Sequence, residues 1–116
     1  MHAPQKLSVV VGLISGKKSD LERCLRALHT QSLALELEIL VPYDDPCAEV
    51  TSLAAQFPAV RFLRAEGLDT AVARAGASRE HHDTLRTLGL RAASGDVIAL
   101  TEDHAHTANT WCAEMV

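Results

Sequence analysis

The stretch Asp96-Val-Ile-Ala-Leu-Thr-Glu-Asp-His104 decides the fold, because a continuous apolar run is followed directly by three ionisable residues. Residues 97–100 predict a buried strand of a parallel sheet that is covered on both faces. Glu102, Asp103 and His104 cannot all be accommodated inside a sheet, so we expect them to emerge at the carboxyl end of that strand. Ligands of open α/β sheets bind at this edge. Carboxylates with an imidazole suit a divalent cation, Mg²⁺ or Mn²⁺, and an exposed acidic turn is the alternative.

The rest of the chain alternates apolar strand patterns with amphipathic helix patterns. Apart from the opening stretch, strands are predicted at residues 7–14, 35–41 and 60–64, and helices at residues 19–31, 46–56 and 79–93. Residues 65–77 predict a loop, since they are rich in Ala and Gly and have little periodicity. This alternation predicts one α/β domain over residues 1–116, a doubly wound, mostly parallel sheet with helices on both faces.

Local signals predict where these elements begin and end. Ser19 and Glu22 have the spacing of a capping box, which places Ser19 at the N-cap of the first helix. Pro42 has no N–H group to donate to a neighbouring strand, so we expect the second strand to stop there. Asp45 is a suitable N-cap for a helix whose first residue is Pro46.

Composition and charge narrow the classes of partner. The formal net charge is -4, and no basic stripe is visible, so the sequence predicts no nucleic-acid partner. Cys24, Cys47 and Cys112 are odd in number and include no C-x-x-C pair, which predicts reduced thiols in a cytoplasmic protein. The sequence also predicts no signal peptide and no transmembrane segment, because no apolar run is long enough.

Two acidic pairs follow predicted strands. Asp44-Asp45 comes after the second strand, and Glu102-Asp103 comes after the last. Because parallel strands end at the same edge of a sheet, both pairs are expected there. Helix capping by Asp45 and a solvated turn at Asp44 are the structural alternatives. The chain has neither a G-x-G-x-x-G nor a P-loop pattern, and no nucleophile elbow.

Five segments together resemble a known family. They are Val9-Val-Val11, His29-Thr-Gln-Ser32, Leu37-Glu-Ile-Leu-Val41 with the Asp-Asp pair after it, Arg86-Thr-Leu-Gly-Leu90, and Ser94-Gly-Asp-Val-Ile-Ala-Leu-Thr-Glu-Asp-His104. Their order and spacing are similar to the N-terminal, nucleotide-sugar-binding half of the family 2 glycosyltransferases, which have the GT-A fold. The resemblance covers residues 6–111 and implies a Rossmann-like half domain that binds a UDP- or GDP-type sugar donor.

The resemblance also implies roles for individual residues. Glu102-Asp103-His104 falls on the D-x-D motif of the family, with Glu102 on the ribose side and Asp103 and His104 as ligands of a divalent metal, Mn²⁺ or Mg²⁺. Asp44 or Asp45 matches the acidic pair that contacts the nucleoside. Arg86 matches the first position of an R-N-x-G segment near the donor diphosphate.

The sequence departs from the family in ways that leave other functions open. The D-x-D positions hold Glu and His, and no segment corresponds to the acceptor-binding half, which supplies the catalytic base. We therefore expect this chain alone to be inactive in sugar transfer. The alternative is a non-catalytic nucleotide- or partner-binding module, with self-association through the truncated sheet. A metal-dependent phosphohydrolase is a weaker alternative.

Overall fold

A computed structural model describes residues 6–31, 36–65, 79–105 and 111–115. Its four strands form one parallel sheet in the order β3-β2-β1-β4. The strands are β1 (Leu7–Gly12), β2 (Leu37–Tyr43), β3 (Arg61–Arg64) and β4 (Val97–Glu102). The helices are α1 (Lys18–His29), a 3₁₀ helix (Asp45–Ala55), α2 (Arg79–Ala92) and α3 (Trp111–Met115). The predicted α/β class and parallel sheet are therefore confirmed.

The strand order reverses at β1. The chain passes from β1 to β2 and β3 on one side, and β4 then pairs with β1 on the other side. Val10 is in register with both Leu40 of β2 and Leu100 of β4, so β1 is the central strand. Such a reversal opens a crevice at the carboxyl ends of the two strands that flank it. Here those strands are β1 and β4.

Helices cover the two faces of the sheet differently. Side chains alternate between the faces along a strand, and Val9 and Val11 of β1 point to the face covered by α1 and the 3₁₀ helix. The buried residues of this core are Leu7, Val9, Val11, Leu13, Leu21, Cys24, Leu25, Leu28, Ile39, Val41, Val50, Leu53, Phe57, Ala99 and Cys112. On the other face α2 packs against β1 and β2, with Gly89 directly over Val10 and Pro42.

The prediction that β4 is buried on both faces is wrong. Ile98 and Leu100 are 43% and 50% exposed, although Ala99 between them is buried. β1 has the same kind of apolar sequence and is buried throughout. The difference arises because α2 packs over β1 and β2, and in the described sheet β4 has a strand on one side only.

Three predicted element boundaries are also corrected. Helix α1 begins at Lys18 with Lys17 as its N-cap, so Ser19 lies inside the helix and is not its cap. The segment after β2 is a 3₁₀ helix that already begins at Asp45. Strand β2 continues through Pro42, because its pairing with β1 extends to Leu40 and Pro42 is then in register with β3. Its missing N–H group therefore interrupts no bond to β1.

Candidate functional site

The carboxyl ends of β1 and β4 bring together three ionisable side chains, which we call the edge cluster: Arg86, Glu102 and His104. Glu102 is the last residue of β4 and is level with Gly12, the last residue of β1. Arg86 reaches this point from α2, where its Nη2 lies 3.9 Å from Oε1 of Glu102. A Cβ atom at Gly12 would lie 3.9 Å from Nε of Arg86, so the guanidinium lies over the end of β1 as well.

The third member of the edge cluster is next to Glu102. Nε2 of His104 lies 3.2 Å from Oε2 of Glu102, and the two side chains are 53% and 44% exposed. Asp83, one turn before Arg86 on α2, holds its guanidinium through a 3.1 Å contact with Nη1. The carboxyl edge therefore presents a cation, a carboxylate and an imidazole side by side and open to solvent.

Asp103 lies below the edge cluster and is completely buried. Its Oδ1 accepts hydrogen bonds from the backbone N–H groups of Ile14 (3.2 Å) and Ser15 (3.1 Å). Its Oδ2 accepts from the Ser15 hydroxyl (3.0 Å) and the Gly16 N–H group (2.9 Å). The backbone N–H of Asp103 donates in turn to the Gly12 carbonyl at 2.9 Å. Asp103 does lie past the carboxyl end of β4, as predicted, but its carboxylate is turned into the protein, unlike the side chains of its two neighbours.

The loop between β1 and α1 makes this burial feasible. Gly16 has a φ of 69°, a left-handed conformation that is open to glycine without strain. This turn directs the N–H groups of residues 14–16 toward one point, where they satisfy the charge of Asp103. The sequence indicates a turn at Gly16, but no local signal connects that turn with a carboxylate 87 positions away.

The other predicted contact residues lie farther along the same edge. Asp44 follows the end of β2, and its side chain is buried, so the alternative of a solvated turn is wrong. Because β1 lies between β2 and β4, Asp44 and Glu102 are on strands about 10 Å apart. The side chain of Asp45 lies outside the described residues, and its proposed contact remains a prediction.

Beneath the edge cluster, Cys24 contacts the last residue of β4 from helix α1. Its thiol donates to the Glu102 carbonyl at 3.7 Å. Burial and the nearby negative charge of Asp103 raise the pKa of Cys24 to about 12. The buried thiol is therefore neutral at physiological pH and is not activated as a nucleophile.

The described residues contain no group of three or more His, Cys, Asp or Glu side chains arranged to hold a metal ion. Glu102 and His104 are two adjacent donors of the kind a divalent cation accepts. Within the same part of the chain, no helix is long and apolar enough to cross a membrane.

Comparison with protein-family models gives no match, and comparison with curated proteins gives none either.

Proposed function

We propose that this chain binds the nucleoside diphosphate part of a sugar donor at the edge cluster, as the donor-binding half of a family 2-like glycosyltransferase. One observation carries this proposal. Arg86, Glu102 and His104 converge at the carboxyl edge where the strand order reverses. In open α/β sheets, ligands bind outside the carboxyl ends of the strands at such a reversal. The sequence resemblance supplies the class of ligand.

Each member of the edge cluster has a chemical role in this proposal. The guanidinium of Arg86 offers planar, charged donors to the phosphate oxygens of the diphosphate. The carboxylate of Glu102 accepts a hydrogen bond from a ribose hydroxyl, and Asp44 and Asp45 after β2 contact the nucleoside. The donor would then lie along the carboxyl edge, with its base toward β2 and its diphosphate toward β4.

A divalent cation, Mn²⁺ or Mg²⁺, fits the pair formed by Glu102 and His104. Their facing Oε2 and Nε2 atoms are 3.2 Å apart. Adjacent ligands of an octahedral ion with bonds of about 2.1 Å are separated by about 3.0 Å. Two protein ligands leave positions for water and for phosphate oxygens, as is usual for Mg²⁺. When bound, the cation would neutralise the diphosphate leaving group.

Sugar transfer itself requires groups that we do not assign to this chain. An acceptor hydroxyl must be positioned and deprotonated by a general base, and in the resembling family that base lies in the other half of the enzyme. We therefore propose that the 116-residue chain binds a donor without transferring sugar. We also propose a cytoplasmic location, which the free buried thiols of Cys24 and Cys112 support.

Calorimetric titration of UDP and GDP into the whole chain, with and without Mn²⁺, tests donor binding. We expect binding that requires Mn²⁺, and we expect Glu102→Gln to weaken it at least about tenfold, since a charge-assisted contact is lost. Glu36→Gln is the matched control, because Glu36 is exposed and precedes β2 at the opposite edge of the sheet. Equal binding by both variants, or no binding by a folded wild-type chain, would contradict the proposal.

The exposed face of β4 favours a second candidate function, association with another copy of this chain. Ile98 and Leu100 are large apolar side chains on an end strand of the described sheet. Such a strand also presents unpaired backbone groups. A second copy could cover the apolar side chains and pair with the strand.

Light scattering at several concentrations tests this association. We expect the wild type to form dimers and the Ile98→Thr/Leu100→Thr double variant to remain monomeric, because threonine keeps the β propensity and removes apolar surface. Leu90→Gln is the control, since Leu90 is similarly exposed but lies on α2. A monomeric wild type at every concentration would exclude this candidate.

A further inference from the structure

The carboxylate of Asp103 has no acceptor capacity left for a ligand. An ionised carboxylate offers about four lone-pair sites on its two oxygens. Oδ1 accepts from the N–H groups of Ile14 and Ser15, and Oδ2 accepts from the Ser15 hydroxyl and the Gly16 N–H. A cation could reach either oxygen only by displacing one of these bonds inside a fully buried site.

We infer that Asp103 is a positioning residue, which holds the loop between β1 and α1 against the end of β4 and so fixes Glu102 and His104. Two connections join the end of β4 to the end of β1 and the loop after it. The Asp103 side chain binds the loop, and its backbone N–H donates to Gly12 at the end of β1. The effect on ligand binding rests on the proposed function of the edge cluster, but the effect on the loop does not.

The loop contributes a backbone arrangement that binds anions in other proteins. Successive N–H groups that converge on one point form a concave site for a phosphate or carboxylate. In this chain the concavity is filled by Asp103 of the chain itself. The loop amides are therefore not available to a donor diphosphate, and in our proposal its charge is met by Arg86 and by a cation at Glu102 and His104.

Glu102 and His104 flank Asp103 directly in the chain, so their placement depends on it. His104 also lies near the buried carboxylate, with Nδ1 3.6 Å from Oδ1 of Asp103. If the loop separates from Asp103, the end of β4 loses four hydrogen bonds at once. We expect the 3.2 Å approach of Glu102 to His104 to be lost with them.

Hydrogen exchange of the ligand-free whole chain tests the effect of Asp103 on the loop. In Asp103→Asn, we expect the amides of Ile14, Ser15 and Gly16 to exchange at least about tenfold faster, because their charged acceptor is gone. Glu102→Gln is the control and should leave these amides unchanged. Unchanged exchange in Asp103→Asn would overturn the inference, whether or not the protein binds a nucleotide.

A double-mutant cycle in the Mn²⁺ and UDP titration tests the effect on the edge cluster. Ser15→Ala removes the hydrogen bond that the hydroxyl donates to Asp103 and the one it accepts from the Lys17 N–H, and we expect it to weaken UDP binding about 2- to 10-fold. Its effect should not add to that of Asp103→Asn, because both variants release the same loop. Ser19→Ala, an exposed serine on α1, is the matched control and should bind like the wild type.

The titration also separates a positioning residue from a direct metal ligand. A positioning residue predicts that Asp103→Asn still binds UDP more tightly with Mn²⁺ than without it, at reduced affinity. Loss of all dependence on Mn²⁺ in Asp103→Asn, with Ser15→Ala unaffected, would make Asp103 a ligand and overturn the inference. If the wild type does not bind UDP or GDP, the proposed function fails, and the exchange measurement alone decides on the loop.

Discussion

Each edge of the sheet contains a carboxylate that accepts hydrogen bonds from several groups of the chain. The two edges differ in the side chains that remain exposed beside that carboxylate. At the amino edge, Glu38 of β2 accepts from the Ser8 hydroxyl at 2.8 Å and from the Ser94 N–H at 2.9 Å. It also pairs with Lys6 at 3.6 Å and with Arg61 at 3.3 Å. These contacts join β1, β2, β3 and the segment that leads into β4.

At the carboxyl edge, Asp103 is the comparable carboxylate, and it accepts hydrogen bonds from the backbone N–H groups of the loop after β1. The residues beside it are different, because Glu102 and His104 have about half of their side-chain surface exposed. At the amino edge the charged neighbours Lys6 and Arg61 both pair with the carboxylate, whereas at the carboxyl edge the charged Glu102 pairs with Arg86 and His104 and not with Asp103. The comparison indicates that the amino edge contributes mainly to stability and that a ligand site is to be sought at the carboxyl edge.

The largest effect is expected from removal of the buried carboxylate at the carboxyl edge. Asp103→Ala removes a charged acceptor from three N–H groups and a hydroxyl, of which, in the described part of the chain, only the Ile14 N–H has a second backbone acceptor, and we expect a loss of about 3 to 5 kcal/mol in the free energy of unfolding. Glu38→Ala should cost about 1 to 2 kcal/mol, because water can reach three of its four partners, Lys6, Arg61 and Ser94. Urea denaturation measures the free energy of unfolding of both variants. An equal loss in the two variants would contradict the expectation that the completely buried carboxylate contributes more to stability than Glu38 does.

A somewhat smaller effect is expected from displacing α2, which contributes to both edges. Gly89 has no space for a side chain, since a Cβ atom there would overlap Val10 and lie 3.0 Å from Pro42. We expect Gly89→Val to lower the free energy of unfolding by about 2 to 3 kcal/mol through overpacking. Thr87→Val, an exposed position of the same helix, is the control for the helix propensity of valine. A small effect of Gly89→Val would mean that α2 moves to accommodate the side chain without loss of stability.

The third effect is a dependence on pH at the amino edge. Burial alone would raise the pKa of Glu38, but the hydrogen bonds from Ser94 and Ser8 and the charge of Lys6 outweigh it and lower the pKa to about 2. Because this pKa is below the ordinary value of 4.5, the stabilisation is complete above about pH 4.5 and is lost as the pH falls toward 2.

Denaturation at a series of pH values measures this dependence. We expect a loss of about 1 to 2 kcal/mol between pH 4.5 and 2 that is attributable to Glu38, after allowance for screening by solvent. In Glu38→Gln this part of the acid dependence should be absent, whereas Glu36→Gln should retain it. The same acid slope in Glu38→Gln and the wild type would show that other carboxylates cause it.

The fold and the general location of the candidate site follow from local patterns. The apolar runs of β1 and β4, separated by helix patterns, predict a parallel sheet, and the residues after β4 identify its carboxyl edge. The type of each element depends on the periodicity of its apolar residues, and the position of the carboxyl edge depends on chain direction. They do not depend on which strands become neighbours, so one sequence is enough to predict them.

The burial of individual residues does not follow from local patterns, because it depends on distant parts of the chain. Ile98 and Leu100 have the same apolar character as the buried valines of β1, and the position of α2 decides that they are exposed. Asp103 is similar to Glu102 in chemistry, but only Asp103 points toward the N–H groups of the loop at Gly16. The sequence contains the loop and the carboxylate, and the register of β1 with β4 brings them together.

The smallest effect on stability is expected at Glu102, where the measurement distinguishes a ligand contact from a structural contact most directly. Glu102 is half exposed, and its contact with Arg86 is long at 3.9 Å, so Glu102→Gln should change the free energy of unfolding by less than about 0.5 kcal/mol. The same variant is expected to weaken Mn²⁺-dependent UDP binding at least about tenfold. Urea denaturation and calorimetry on one preparation measure the two quantities together. A large loss of stability with unchanged UDP binding would assign Glu102 to the structural network, and the functional difference between the two edges would then be refuted.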